Sequence, residues 1–144
     1  MINEPFPVVT DPIRLPLYGA SPAQAFRRFW RKYVTFSGRA SRSEYWWWVL
    51  IAFAVSVVFQ LIGVAQTGSF ALGERRTDDV GDILSSLWGL AVAIPTLALS
   101  WRRLHDTNRS GLWILIGLLP VIGWIILLVF YLSRPKPEGA RFDR

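Results

Sequence analysis

The chain has 144 residues, 52% of them hydrophobic, a formal net charge of +6, no cysteine and a single histidine, His105. The length suits one domain, and the lack of cysteine excludes disulfides, thiolate catalysis and cysteine-based metal sites. One imidazole without ligand-like spacing offers no metal centre, so no cofactor is expected. The positive charge, with no nucleic-acid motif beside it, points to anionic lipid rather than to nucleic acid.

Residues 1–20 carry Pro5, Pro7, Pro12 and Pro16 without a helical period. They are expected to form a disordered Pro-rich tail. A helix is predicted over residues 21–36. Ser21 is a good N-cap, Pro22 suits the first helical position and Gln24 completes a capping box. Phe26, Phe29, Trp30 and Tyr33 follow at helical spacing, and Arg27, Arg28, Arg31 and Lys32 fall on the opposite arc. This is the pattern of an amphipathic helix lying in a membrane interface, with its basic side chains towards lipid headgroups.

Residues 37–132 are expected to form a three-helix transmembrane domain. Gly38 breaks the first helix, and Ser41 with Glu44 makes a second capping box. The uncharged run Trp46–Gln66 follows. Ile83–Trp101 and Leu112–Leu132 are also free of charge. Each run is of the roughly 20 residues that a helix needs to cross a hydrocarbon core of about 30 Å. Tyr45, Trp46, Trp47 and Trp48 open the first span. Consecutive tryptophans on a helix spread over about 200° of arc and cannot share one face. An interfacial layer makes no such demand, so these residues, with Trp30 and Trp113, are predicted to anchor the chain at the membrane surface. The first long apolar run begins too far into the chain for a normal cleaved signal and is expected to act as an uncleaved anchor.

Thr67–Asp82 reads as a polar loop. The second span contains Pro95, which should kink it. Arg102–Gly111 reads as a short loop, and Ser110 as the N-cap of the third span. Pro120 and Gly123 should bend that span, and a re-entrant hairpin at Pro120–Gly123 is the alternative for this run. Residues 133–144 form a basic C-terminal tail. The distribution of Lys and Arg favours a cytoplasmic N-terminus, with the basic tail of a three-span chain weighing against it.

With the N-terminus inside, the motif Ser37–Glu44 and the motif Arg102–Gly111 meet on the cytoplasmic face. Their charges are complementary. Glu44 is expected to pair with Arg102 or Arg103, and Asp106 with Arg39 or Arg42, with Arg109 and His105 in the same polar cluster. His105 beside Asp106 raises a general base, but no nucleophile motif accompanies it. The spans carry no charge, which argues against a transport pathway at mid-membrane. Gly89 with Ala93, and Ala52 with Ser56, allow close helix contact.

The stretches "YVTFSGRASRSEYWWWVL" and "RRLHDTNRSGLWILIGLLPVIGWIILLVF" resemble the small bacterial inner-membrane proteins of domain-of-unknown-function family 805. The matching positions are Phe36, Gly38, Arg39, Glu44, Tyr45, Trp46, Arg102, Arg103, Leu104, His105, Asp106, Arg109, Ser110 and Trp113. The ending "PEGARFDR" is similar to the family's Gly-x-Asn-Arg-Phe-Gly, with Ala140 in place of Asn and Asp143 in place of the last Gly. The resemblance implies a multi-pass protein of the bacterial plasma membrane and carries no reaction, substrate or cofactor. The motif positions form either a site or a lock between the first span and the segment after the second.

The fold expected is therefore an all-α membrane protein, with an N-terminal interfacial helix and three transmembrane helices. The expected function is a non-enzymatic accessory or scaffold that binds anionic lipid, a membrane-protein partner or a second copy of itself through a basic cytoplasmic face. A small oligomeric channel or transporter-like unit is the second reading, and an enzyme using His105 and Asp106 the third.

Overall fold

The computed structural model describes residues 13, 15–68 and 80–143. Most of the expected loop Thr67–Asp82, and residues 1–12 and 14 of the expected tail, lie outside the described residues. The described residues form helix α1 (Pro22–Arg31), α2 (Arg42–Thr67), α3 (Val80–Asp106), a 3-10 helix η1 (Gly111–Leu118), α4 (Ile122–Leu132) and a second 3-10 helix η2 (Pro137–Phe142). There is no strand among them.

Local chemistry explains where the first helices start. In α1 the Ser21 hydroxyl accepts from the Gln24 amide while the Gln24 side chain accepts from the Ser21 amide. Ser41 and Glu44 repeat the arrangement at α2. Each box satisfies amide groups that a helix start leaves open. Gly68, at φ 68°, ends α2 in the left-handed conformation that favours glycine.

Two helices, α2 and α3, are long and apolar enough to cross a membrane. They lie antiparallel. The Ala40 amide, just before α2, donates to the Arg102 carbonyl near the end of α3 at 3.1 Å. At the opposite end a Cβ on Gly81 would lie 2.6 Å from the Phe59 carbonyl oxygen and 2.7 Å from the Gly63 amide nitrogen. The two backbones are thus in close contact at Gly63 and Gly81. Gly89, expected to supply such a contact, faces open space.

α3 continues to Asp106, so the charged motif expected in a loop occupies the last turns of a helix. Leu104, with Leu127 and Tyr131, forms a small core against which Tyr45 and Trp46 pack. A second core holds Phe29, Ala40, Trp48 and Leu99, flanked by Trp30, Trp88 and Val92. α1 lies over α2 at this core.

The third apolar run differs from the single bent span expected. It is a hairpin of η1 and α4, turned at Leu119–Val121, where Val121 takes φ 66°. Pro120 has no amide hydrogen and cannot continue a helix. Gly123 lets the second arm close on the first, since a Cβ there would collide with the Ile116 carbonyl. α4, with 11 residues, is about 16 Å long, half of what crossing requires.

Candidate functional site

The expected polar cluster is assembled at the end of the helices where α2 starts and α3 stops. Its members come from several separate segments of the chain; Arg39 reaches Asp106 as expected, whereas Glu44 takes a different partner.

Asp106 is fully buried. It accepts from Arg103 Nη1 at 2.5 Å and from the Tyr18 hydroxyl at 2.9 Å, with Arg39 Nη1 at 4.0 Å. Arg39 gives its stronger contacts to Asp143, with Nε donating at 3.0 and 2.9 Å to the two oxygens and Nη2 at 2.7 Å from Oδ2. This fork against a carboxylate is the geometry that guanidinium suits best. Burial works against the Arg39 charge, yet its pKa lies above the ordinary arginine value because of the bond to Asp143 and the negative charge beside it.

Glu44 takes Arg28 of α1 as its ion partner, not Arg102 or Arg103. Its other oxygen accepts from the Leu17 amide at 3.1 Å and the Ser41 amide at 2.9 Å. The carboxylate thus closes the α2 cap, neutralises a cation and tethers the segment before α1. Arg102 feels the Glu44 charge and donates Nε to the Ala98 carbonyl at 3.2 Å. The reason for the exchange is positional. Arg28 approaches Glu44 from the helix lying over α2, while Arg103 turns towards α4.

Arg103 and Arg42 both serve the end of α4, and Arg42 turns to carbonyls there rather than to Asp106. Arg103 donates Nε and Nη2 to the Tyr131 carbonyl, each at 3.1 Å, and Nη2 to the Ser133 carbonyl at 2.6 Å. Arg42 Nε donates to Ser133 at 3.0 Å, and its Nη2 to Leu132. α4 has no basic residue in its own last turn. Two guanidinium groups from other helices supply the positive charge that a helix C-terminus attracts.

His105 stacks on Phe142 with centroids 3.9 Å apart and planes 6° from parallel. Its Nδ1 lies 3.1 Å from the Gly38 carbonyl. A carbonyl only accepts, so Nδ1 carries the hydrogen of that bond. The Gly38 amide donates to the Phe142 carbonyl at 2.8 Å, and the Lys136 amide to the Asp106 carbonyl at 2.8 Å. Gly139 sits so close to the His105 carbonyl that a Cβ would overlap it. The C-terminal tail is therefore an integral wall of the cluster. Arg109 stands 4.0 Å over the Phe130 ring, joining the turn after α3 to α4.

Several expected roles change. Leu15–Ala20 is not a free tail. Besides the Leu17 and Tyr18 contacts, the Ala20 amide donates to Ser43 at 2.9 Å. Among the basic residues of α1 and its end, Arg27 and Arg31 face outward, whereas Arg28 and Lys32 turn inward, Lys32 being 2% exposed. Arg28 and Lys32 stand one helical turn apart and share a face. Trp48 is not a surface anchor. It is buried, stacks at 13° on Phe29 and donates its indole N–H to Thr96 at 3.3 Å. Trp46 packs towards Tyr45 and the α4 side, and Trp113 stays half-exposed against Phe130. Tyr18, Arg28, Phe142 and Asp143 belong to the cluster and were not foreseen. The signal for Phe142 and Asp143 was the Arg-Phe-Asp ending.

The buried ion cluster thus closes one end of an all-helical membrane protein. The profile of the family described as "Protein of unknown function (DUF805)" matches residues 33–144, and the chain belongs to that family. It is 39% identical over 112 residues to "Inner membrane protein YhaH" of Escherichia coli K12, covering 78% of this chain and 87% of that one. It is 45% identical over 112 residues to "Inner membrane protein YhaI" of the same organism, covering 78% and 86%. No solved structure matches. The matched region begins at Tyr33 and so includes every cluster residue except those of the segment before α1 and of α1 itself.

Proposed function

We propose that the protein is a non-enzymatic accessory of the bacterial plasma membrane, its N-terminus cytoplasmic, that gathers anionic lipid headgroups around its basic end. The supporting observation is a division of labour among the cations. Arg28, Arg39 and Arg103 are spent on carboxylates and Arg42 on carbonyls inside the cluster. Arg27, Arg31, Arg134 and Lys136 remain exposed around it. Exposed Lys and Arg beside an apolar bundle attract anionic headgroups by about 1 kcal/mol each.

The orientation rests on the same count. Every Lys and Arg among the described residues belongs to segments gathered at this end, and only Arg75 and Arg76 fall in the connection between α2 and α3. Such asymmetry favours a cytoplasmic basic end. The enzyme reading has less support. Asp106 is already bonded by Arg103 and Tyr18, and the His105 ring is covered by Phe142.

The test is tryptophan quenching in reconstituted vesicles. Brominated phosphatidylglycerol should quench more strongly than brominated phosphatidylcholine. The combined variant Arg27→Gln, Arg31→Gln, Arg134→Gln, Lys136→Gln should lose that difference. Equal quenching by the two lipids in the unaltered protein overturns the proposal.

A further inference from the structure

The hairpin Gly111–Leu132 begins and ends at the same end of the bundle. η1 starts directly beyond the turn that closes α3, where Ser110 accepts from the Leu112 amide. α4 finishes in the grip of Arg42 at the start of α2 and Arg103 at the end of α3. Beyond it, the tail stays at that end through the Lys136–Asp106 and Gly38–Phe142 backbone bonds.

The arms are matched in length. Eight residues of 3-10 helix rise about 16 Å at 2.0 Å per residue. Eleven residues of α-helix rise about as much at 1.5 Å per residue. Each arm is half of a hydrocarbon core of about 30 Å.

The tip has the composition of a segment in hydrocarbon. Leu118, Leu119, Val121, Ile122 and Trp124 are all exposed, Leu118 by 81%. Exposed apolar side chains alone would suit a partner protein as well as lipid. The backbone carries the distinction further. The Leu119 amide donates to Ile116, Ile122 to Pro120, and Gly123 to Leu119, at 2.8 to 3.1 Å. Pro120 has no amide to satisfy. The Trp124 indole donates to the Gly117 carbonyl at 2.9 Å. Backbone in hydrocarbon must find its hydrogen bonds within the protein, and the Leu119, Ile122 and Gly123 amides of this turn do so.

We propose that the chain crosses the bilayer twice, at α2 and α3, and that Gly111–Leu132 is a re-entrant hairpin covered by the acyl chains of the basic-side leaflet alone. The occupant of its apolar surface is lipid hydrocarbon, to about the bilayer midplane. The inference does not depend on which headgroup or partner the basic end selects.

The cysteine-free chain allows a direct test. Single cysteines at Ala23, at Thr77 in the α2–α3 connection, and at exposed Glu138 are labelled with a membrane-impermeant maleimide in intact and in permeabilised cells. Ala23→Cys and Glu138→Cys should share one sidedness and Thr77→Cys show the other. Glu138 labelling with Thr77 means three crossings and overturns the proposal, as does Ala23 labelling with Thr77.

A second measurement distinguishes lipid from water around the tip. A fluorophore on Leu118→Cys in vesicles should be quenched several-fold more by lipids brominated near the chain end than by aqueous iodide. Stronger quenching by iodide would put the hairpin outside the bilayer and overturn the proposal equally.

Discussion

The Arg103 guanidinium donates twice to the carbonyl of Tyr131, 28 positions along the chain, at 3.1 Å each time. The same group neutralises Asp106. One side chain therefore ties the end of α3 to the end of α4 and balances a buried carboxylate. Removing one partner of a buried pair costs roughly 3–5 kcal/mol, because the other charge is left without compensation. Arg103→Ala should lower the melting temperature of the detergent-solubilised protein sharply. Arg103→Lys should recover little, since an ammonium cannot fork between two carbonyls and a carboxylate. A loss no greater than that of Arg134→Ala, at an exposed site, would show that the bridge carries no stability.

Arg28 and Glu44 form the ion pair that holds α1 over the α2 cap. Contacting residues couple by about 0.5–3 kcal/mol in a double-mutant cycle, whereas separate ones add. Thermal unfolding of Arg28→Ala, Glu44→Ala and the double variant should show coupling in that range. The equivalent cycle of Glu44 with Arg103 should be additive. The reverse pattern would return Glu44 to the partner expected from the motifs.

The Tyr18 hydroxyl, bonded to Asp106, has its pKa pushed up to about 12 by burial and by the neighbouring carboxylate. A raised folded-state pKa means that this contribution is complete below the ordinary tyrosine value of about 10 and is lost as pH rises towards 12. Proteolysis in the segment before α1 should therefore accelerate between about pH 10 and pH 12. In Tyr18→Phe the segment should already be more susceptible at neutral pH, with a flatter alkaline response. An unchanged alkaline profile in Tyr18→Phe would separate the hydroxyl from the anchoring of the segment.

Trp47 and Trp48 are neighbours with different surroundings. Trp48 is 1% exposed and stacked on Phe29, while Trp47 is only half-buried. Trp48→Ala should cost about 3–5 kcal/mol, the usual range for a buried aromatic. Trp47→Ala should cost far less. Equal melting temperatures for the two variants would restore the purely interfacial role to Trp48.

Gly139 leaves no room for a methyl group against the His105 carbonyl. Gly139→Ala should cost about 1–3 kcal/mol, as overpacking does, and should lift the tail. The lift should appear as faster labelling of a cysteine at Asp143 when Gly139→Ala is present than when Gly139 is kept. Unchanged labelling would show that the tail adapts without leaving.

Much of the local structure was legible in the residues. The Ser21–Gln24 and Ser41–Glu44 boxes form as their spacing predicts, because a cap involves groups three positions apart. The apolar runs of α2 and α3 were legible for a similar reason, since hydropathy over about 20 residues sets the solvent of a helix. The polar cluster was legible as a group of charges but not in its pairing. Arg28, Arg39, Arg42, Arg102, Arg103 and Arg109 are chemically interchangeable on paper as partners for Glu44 and Asp106. The choice among them depends on where α1 and α4 come to rest.

The sequence by itself determined that this is a helical membrane protein with two complementary charged motifs flanking its spans, because caps, hydropathy and charge act over a few turns of chain. Only the tertiary structure decided that Trp48 and Lys32 turn inward, that the ending of the chain completes the lock, and that Leu112–Leu132 folds back on itself. Those outcomes rest on contacts between distant segments. The bonds of Arg103 to Tyr131 and of Arg39 to Asp143 exist only once α4 has turned at Val121.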